Sequence, residues 1–333
     1  MALLEIEGLT VAFDGLRGPV EVLREVAFSI APGEIVGVVG ESGSGKSVTS
    51  LAVMGLLGQA GRIAGGSIRF DGQDLSALPP EEMRRIRGRD MAMIFQEPGS
   101  SLNPVYRVGF QIAEALVEHG LAKGAEAEAK AVELMQRVGI PAAERRARDY
   151  PHQFSGGMKQ RIMIAMALAC GPKLLIADEP TTALDVTIQA QILNLALDLR
   201  DEFGMAMMLI THDMGVVAQM ADRVVVMYAG EVVETAPVET LFTAPAHPYT
   251  RLLLRSIPSA KVTQDVLPVI DGTTPPATAF PPGCRFHPRC PLAEAGCAAQ
   301  APGLEAVTGG HMARCLRLDA PRAALDMALE GRE

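Results

Sequence analysis

Gly40-Glu41-Ser42-Gly43-Ser44-Gly45-Lys46-Ser47 decides how this chain is read. The eight residues fit G-x-x-x-x-G-K-[ST], the phosphate-binding loop. Ahead of them, Glu34 to Val39 reads E-I-V-G-V-V, a short apolar run suited to a buried strand. Behind them, Val48 to Leu57 can continue as a helix. Strand, glycine-rich turn and helix are the context the loop needs. Its glycines let backbone N–H groups curve around a phosphate, and the helix start adds partial positive charge. Gly40, Ser42, Gly43, Ser44, Gly45, Lys46, Ser47 and Val48 are therefore expected to bind a nucleoside triphosphate. Lys46 would reach the β- and γ-phosphates, and the Ser47 hydroxyl would take Mg²⁺. A chance glycine-rich turn is the competing reading, and the matching flanks count against it.

Composition sets the bounds. The chain has 333 residues, room for roughly two domains. It is 48% hydrophobic and 21% charged, enough for a packed core. A net charge of −9 and a pI near 5.3 argue against non-specific binding to nucleic acid. No apolar run approaches the ~20 residues of a membrane span. The start, M-A-L-L-E-I-E, lacks the basic region of a signal peptide. A cytoplasmic location is expected, with any membrane role supplied by a partner.

In chain order, Leu3 to Ile30 alternates as strands of an antiparallel sheet, broken by a loop at Gly15 to Pro19. Phe13, ending the first strand, suits either core packing or stacking on a nucleotide base. Ile68 to Phe70 reads as a strand before an Asp-Gly turn, and Pro79-Pro80-Glu81-Glu82 opens a helix carrying four arginines on a solvated face. Met91 to Phe95 is a strand ending at Gln96. Gly109 to Val138 has helical spacing, and a polar, Arg-rich segment follows from Pro141 to Asp149. An apolar helix after Phe154-Ser155-Gly156-Gly157 runs to Cys170, itself expected as a small buried hydrophobe. Lys173 to Ala177 and Met205 to Ile210 are buried strands flanking a helix marked by Ile192, Ala196, Leu199 and Phe203. Val224 to Tyr228 and Glu231 to Glu234 form a hairpin. Strands alternating with helices imply a mainly parallel sheet covered on both faces. Beyond Ser256 prolines punctuate the chain and periodicity fades until Pro321 to Leu329, where a last helix could start.

Parallel α/β sheets hold ligands at the carboxyl ends of their strands. Besides the loop, three such ends carry polar residues: Gln96, Asp178-Glu179 and His212. Asp178 would support Mg²⁺ together with Ser47 and Gln96. Glu179 would polarise an attacking water, His212 would bond the γ-phosphate, and Gln96 would sense metal and water. Phosphoryl transfer needs such positioning and charge stabilisation more than covalent chemistry. Each residue alone could be an ordinary surface residue; together with the loop they read as catalytic.

Ser155-Gly156-Gly157 resembles the signature of ATP-binding-cassette ATPases. Asp178-Glu179 looks like their second nucleotide motif, Ala183-Leu184-Asp185 like the loop that bridges two subunits, and His212 like the switch histidine. The resemblance implies an α/β P-loop cassette with an N-terminal antiparallel β subdomain and a small helical subdomain. It implies two cassettes sandwiching two ATP molecules, with Ser155, Gly156, Gly157 and Asp185 of one completing the site of the other. The signature reads Phe-Ser-Gly-Gly-Met, not the commoner Leu-Ser-Gly-Gly-Gln, and keeps the Ser-Gly-Gly core. More narrowly, Phe95-Gln96-Glu97-Pro98, Ser101-Leu102-Asn103-Pro104, Ala177 through Gln191 and His247-Pro248-Tyr249-Thr250 are similar to the ATPases of oligopeptide and dipeptide importers. Related ATPases handle nickel, glutathione and other small solutes. The implied partners are a second, related cassette, two transmembrane permease subunits and, indirectly, an extracytoplasmic solute-binding protein. The chain would sit peripherally on the cytoplasmic membrane face, without nucleic acid.

Residues 1–255 are then expected to form the cassette, with the helical subdomain at about 97–170, and residues 256–333 an irregular Cys-rich domain. Its cysteines read Cys284-x5-Cys290-x6-Cys297-x17-Cys315, with no C-x-x-C pair. Disulfides are not expected in a cytoplasmic chain. Four soft thiolates suit an iron–sulfur cluster or Zn²⁺, with metal-free thiols as the third reading. Gly-Cys-Arg-Phe-His-Pro-Arg-Cys-Pro resembles the C-terminal region of the peptide-importer ATPases, which implies a [4Fe–4S] cluster. His287 and His311 are weaker ligand candidates. A nucleic-acid-remodelling cassette would need a long insertion between Ser47 and Ser155. A GTPase or kinase would lack the Ser-Gly-Gly signature, and a purely regulatory module would have lost Glu179 or His212.

Overall fold

A computed structural model describes residues 1–16, 18–96, 101–180, 185–256 and 270–318. In chain order its strands are β1 (Leu4–Gly15), β2 (Gly18–Ile30), β3 (Ile35–Val39), β4 (Gly61–Phe70) and β5 (Gln73–Asp74). They continue as β6 (Met91–Ile94), β7 (Leu174–Asp178), β8 (Ala206–Thr211), β9 (Arg223–Tyr228), β10 (Glu231–Pro237), β11 (Glu305–Thr308) and β12 (His311–Ala313). The helices are α1 (Lys46–Val53), α2 (Pro80–Ile86), α3 (Val108–Glu118), α4 (Ala125–Arg137), α5 (Ala143–Arg146) and α6 (Gly156–Leu168). Then come α7 (Val186–Phe203), α8 (Met214–Met220), α9 (Val238–Thr243), α10 (Pro248–Arg255) and α11 (Ala295–Ala299). The chain divides into two compact units, each interleaved in sequence.

The first unit comprises Met1–Leu3, Ile30–Ile35 and Phe70–Ile210. Its β6, β7 and β8 pair in parallel, Met91 beside Leu174 and Leu174 beside Ala206. Strands β7 and β8 are buried along their whole length, as a sheet covered on both faces requires. Helices α3, α4 and α6 pack together through Val108, Ile112, Leu116, Ala131, Met135 and Ile162, all almost fully buried. Two expectations need adjustment. The helical pattern from Gly109 to Val138 is broken between α3 and α4, where Gly120 takes a left-handed conformation. Cys170 is only half-buried; its thiol donates to Ala115 O at 3.5 Å, and burial pushes its pKa up to about 11.

The second unit comprises Leu4–Ser29, Val36–Arg69 and the chain from Thr211. Strands β2, β1 and β4 lie side by side in that order. The strands run into the loop expected at Gly15 to Pro19, β1 reaching Gly15 and β2 beginning at Gly18. A second sheet region pairs β3 in parallel with β9, Val36 beside Arg223, and then runs antiparallel through β10, β12 and β11. Helix α1 stops at Val53, short of the expected Leu57, where Met54 and Gly55 turn the chain.

The segment after Ser256 is not wholly irregular. Strand β12 extends the β9–β10 hairpin, Glu234 beside Ala313, and β11 pairs outside it. The Glu234 carboxylate, fully buried, accepts from His311 Nε2 (2.7 Å), Ala246 N (2.6 Å) and His247 N (2.9 Å). Those three bonds offset the cost of burying the charge. Burial pulls His247 down to about 4 against the opposing Glu234 carboxylate, so its neutral Nδ1 accepts from Tyr249 N and caps α10. Phe286 fills the space between, its ring centroid 5.1 Å from Tyr228, 5.3 Å from Tyr249 and 5.7 Å from His247. The helix expected at Pro321 to Leu329 lies outside the described residues.

Phe286→Ala should destabilise this unit by about 3–5 kcal/mol, the usual cost of emptying a buried aromatic site. The urea midpoint of the purified chain should fall accordingly. Phe110→Ala, at a half-exposed ring, should leave it nearly unchanged.

Candidate nucleotide site and thiol pocket

The phosphate loop lies between β3 and α1. Two of its glycines are dictated by space. A Cβ on Gly40 would lie 2.1 Å from Met227 O, and one on Gly45, at φ +104, would lie 2.5 Å from Leu23 Cδ2. Any other residue at either place would push the loop off β9 or β2. The buried Lys46 ammonium donates to Gly40 O (2.7 Å), Glu41 O (2.9 Å) and Ser44 Oγ (3.4 Å). The cation is thus held inside the curve of the loop. Ser42, Gly43 and Ser47 are exposed and Val48 is half-buried on α1. A glycine-lined curve with an enclosed lysine at a helix start fits a triphosphate.

Other expected residues of the second unit fall at strand ends. Phe13, near the end of β1, is half-buried, and its ring lies over Gly61, where a Cβ would come within 2.7 Å. His212 follows β8 and is exposed. The next residue, Asp213, caps α8 by accepting from Gly215 N (2.8 Å) and Val216 N (3.3 Å).

In the first unit, β7 delivers Asp178 buried and Glu179 half-exposed. Glu179 takes a left-handed backbone, φ +47, while its amide still donates to Ile210 O at 2.9 Å. Gln96 Nε2, just past β6, donates to Glu179 Oε2 at 2.8 Å. The amide can thereby hold the carboxylate in place. Ser155 caps α6, its Oγ accepting from Met158 N at 3.4 Å. Gly156 opens the helix with free space where a Cβ would sit, whereas a Cβ on Gly157 would come within 2.8 Å of Ile188 Cγ2. Met158, which replaces the commoner glutamine, takes Arg146 Nη1 on its sulfur at 3.3 Å. Asp185 caps α7 and is exposed; Ala183 and Leu184 lie outside the described residues.

Cys284, Cys290, Cys297 and Cys315 all line one cavity of about 10 Å³, together with Phe286, His287 and Leu292. The hydrogen bonding is local: Cys284 N donates to Cys297 O at 2.8 Å and Arg317 N to Cys315 Sγ at 3.3 Å. Burial, the largest effect, and the neighbouring thiols push Cys290 up to about 12 and Cys315 up to about 11. The described thiols are unpaired as disulfides. Among the described residues, no three or more His, Cys, Asp or Glu side chains already stand in a metal-binding arrangement. His311 is taken by Glu234 and points to a structural role. The four cysteines are gathered into one pocket but are not arranged as metal ligands.

Sequence reasoning missed the residues that surround the loop. Glu41 N donates to Tyr249 Oη at 2.9 Å, and the Glu41 carboxylate is gripped by Arg289 at 2.6 and 3.0 Å. Tyr249 stood out only within the His247–Thr250 run. No spacing in the sequence could reveal partners more than 200 positions away.

Comparison with known proteins completes the assignment. The sequence matches the family described as ABC transporter over residues 23–182 and the oligopeptide/dipeptide transporter C-terminal region over residues 233–297. It is 51% identical to a putative peptide import ATP-binding protein of Brucella abortus, covering 94% of each chain. It is 49% identical to the dipeptide transport ATP-binding protein DppD of Escherichia coli, covering 95% of this chain and 96% of that one. To the oligopeptide transport ATP-binding protein AppD of Bacillus subtilis it is 51% identical, over 94% and 96%. Among solved structures, a dimeric ATP-binding cassette in a post-hydrolysis state bound to ADP and Pi matches with a TM-score of 0.63 at 30% identity, covering 71% of this chain and 98% of that one. With its phosphate loop, its Ser-Gly-Gly helix start and near full-length relatives, the chain belongs to the ATP-binding-cassette transporter ATPases, in their oligopeptide/dipeptide branch.

Proposed function

We propose that the chain is the ATP-hydrolysing subunit that powers import of di- or oligopeptides through a membrane permease, working as one of two cassettes. The near full-length identity to peptide-import ATP-binding proteins carries this reading. Lys46 and the amides of the loop bind the phosphates, and Phe13 stacks on the base. Ser47, Gln96 and Asp178 hold Mg²⁺, which when bound neutralises charge on the phosphates. Glu179, steadied by Gln96, takes a proton from the attacking water, and His212 bonds the γ-phosphate. Ser155, Gly156, Gly157 and Asp185 complete the site of the partner cassette, a related chain. Residues 1–255 act as the cassette and 256–333 as a C-terminal domain.

No described helix is long and apolar enough to cross a membrane. Attachment to the cytoplasmic membrane face falls to the permease subunits, as the family membership supports. The docking surface is the groove on the helical layer, a cavity of about 940 Å³ bordered by Tyr106, Phe110, Val117 and Tyr150. Tyr106 and Phe110 stack at 5.2 Å yet stay half-exposed, which favours an apolar partner. A solute-binding protein then selects the cargo outside the membrane. The four thiols hold a [4Fe–4S] cluster, or Zn²⁺, as a structural clasp for the C-terminal domain; ligand softness and their shared cavity support this.

In the assembled transporter, ATP hydrolysis should rise when the binding protein carries a di- or oligopeptide. Glu179→Gln should retain ATP binding and lose about 10²–10⁴-fold in turnover. Stimulation by nickel or glutathione and not by peptides would move the substrate class and leave the ATPase role standing. Phe110→Asp should abolish co-purification with the permeases without changing nucleotide binding by the chain itself; retained co-purification would remove the groove as the docking surface. Protein purified without oxygen should be brown and contain iron and sulfide. Cys290→Ser should bleach it and expose the C-terminal domain to protease, since ligand binding supplies folding energy. A colourless protein with one zinc would replace the cluster by zinc, and four free thiols in a protease-resistant domain would exclude both.

A further inference from the structure

The segment that lines the thiol cavity also grips the phosphate loop. Arg289 Nη1 donates to Glu41 Oε2 at 2.6 Å and Nη2 to Glu41 Oε1 at 3.0 Å, a two-pronged pair. Thr274 Oγ1 adds a third bond to Oε2 at 3.0 Å. The guanidinium is only 7% exposed. Its three remaining hydrogens go to Asp271 O (2.8 Å), to Tyr228 Oη (3.4 Å) and, shared, to Ile270 O and Gly272 O (3.3 Å each). An exposed ion pair would contribute little. This one is largely enclosed, planar and bidentate, so removing either partner strands a charge.

Glu41 is the second residue of the loop, and its two ends are tied differently. Its main-chain oxygen accepts from Lys46, while its amide donates to Tyr249 Oη. With the carboxylate also fixed, Glu41 has little freedom to rotate, and neither has the carbonyl that holds the lysine. A second contact reaches the loop from the same segment. Arg285 Nη1 donates to Ala229 O at 2.5 Å, and the adjoining Gly230 N donates to Ser44 O at 2.9 Å. Arg285 is braced by Glu21 at 3.2 Å and stacked on Phe280 at 4.1 Å. The two arginines flank the cavity in sequence, since Arg285 follows Cys284 and Arg289 precedes Cys290.

We propose that Arg289 is a positioning residue for the nucleotide: through Glu41 it fixes the curve of the phosphate loop and so makes ATP affinity depend on the Cys284–Cys290 segment. The proposal rests on the ATPase reading only in taking ATP as the ligand of the loop.

The test uses the assembled complex with full-length chains. Arg289→Ala should raise KM for ATP about 10–100-fold, the scale of a small displacement of binding groups. Turnover at saturating ATP should stay within roughly twofold, because ground-state and transition-state binding suffer alike. Arg289→Lys, which keeps charge but not the fork, should fall between. Glu41→Gln should reproduce Arg289→Ala, and the double variant should be no worse than either single one. Glu41 lies outside the C-terminal segment, so Glu41→Gln reads the pair even if Arg289→Ala does not fold. An unchanged KM in Glu41→Gln, a loss confined to turnover, or additive effects in the double variant would each overturn the proposal. Failure of the ATPase reading would show separately, as a wild-type complex that does not hydrolyse ATP.

Discussion

A phosphate loop works only if its main chain curves tightly with no side chain on the inside, and the second unit is built around that constraint. Gly40 and Gly45 are pressed against Met227 O and Leu23, so the loop is bounded by β9 on one side and β2 on the other. Strand β9 therefore does more than pair with β3. Its carbonyl at Met227 sets how close the loop can come, and the turn after it supplies Gly230 N to Ser44 O. Lys46 then has one place to go, among carbonyls the loop presents. Pre-arrangement of this kind means little reorganisation is left when phosphate arrives, which is how fixed dipoles act most strongly.

The C-terminal region depends on the same sheet. Three devices attach it: the β10–β12 ladder, the buried Glu234–His311 pair and the aromatic cluster around Phe286. Arg314 ties the exit of β12 back to Val232 O and Pro302 O. These contacts gather the four cysteines without completing a coordination sphere. Burial and the neighbouring thiols raise Cys290 and Cys315, which favours their neutral form.

Local signals carried most of what the sequence revealed. The loop carries a motif, and β3, β7 and β8 are short, apolar and bounded by turn or polar residues, so pattern alone locates them. Ser155 and Asp185 stand out in the sequence only through the family resemblance, and the structure shows that both cap helices, α6 and α7. What escaped was non-local. Strand β11 is exposed along its length and shows no alternation; it exists because β12 offers it an edge. His311 looked like a metal ligand because its partner, Glu234, lies 77 positions away. Arg289 attracts no reading of its own, since nothing near it in sequence announces a carboxylate partner 248 positions earlier. Charge pairs across such separations leave no period to detect.

Glu179 shows how a local rule gives way at one strand end. A left-handed backbone disfavours residues with a Cβ, and glycine would be the easy choice there. Glycine would bring no carboxylate. The neighbouring strand offsets the cost: Glu179 N still donates to Ile210 O, so the β7–β8 pairing runs one residue past Asp178 before the chain turns away. That turn separates the two acids. Asp178 stays buried at the strand end while Glu179 swings outward, where Gln96 meets its carboxylate. Two adjacent acids in a regular strand would point to opposite faces of the sheet. The strained backbone at Glu179 is what separates the two carboxylates at one strand end, and such strain persists only where surrounding structure fixes it.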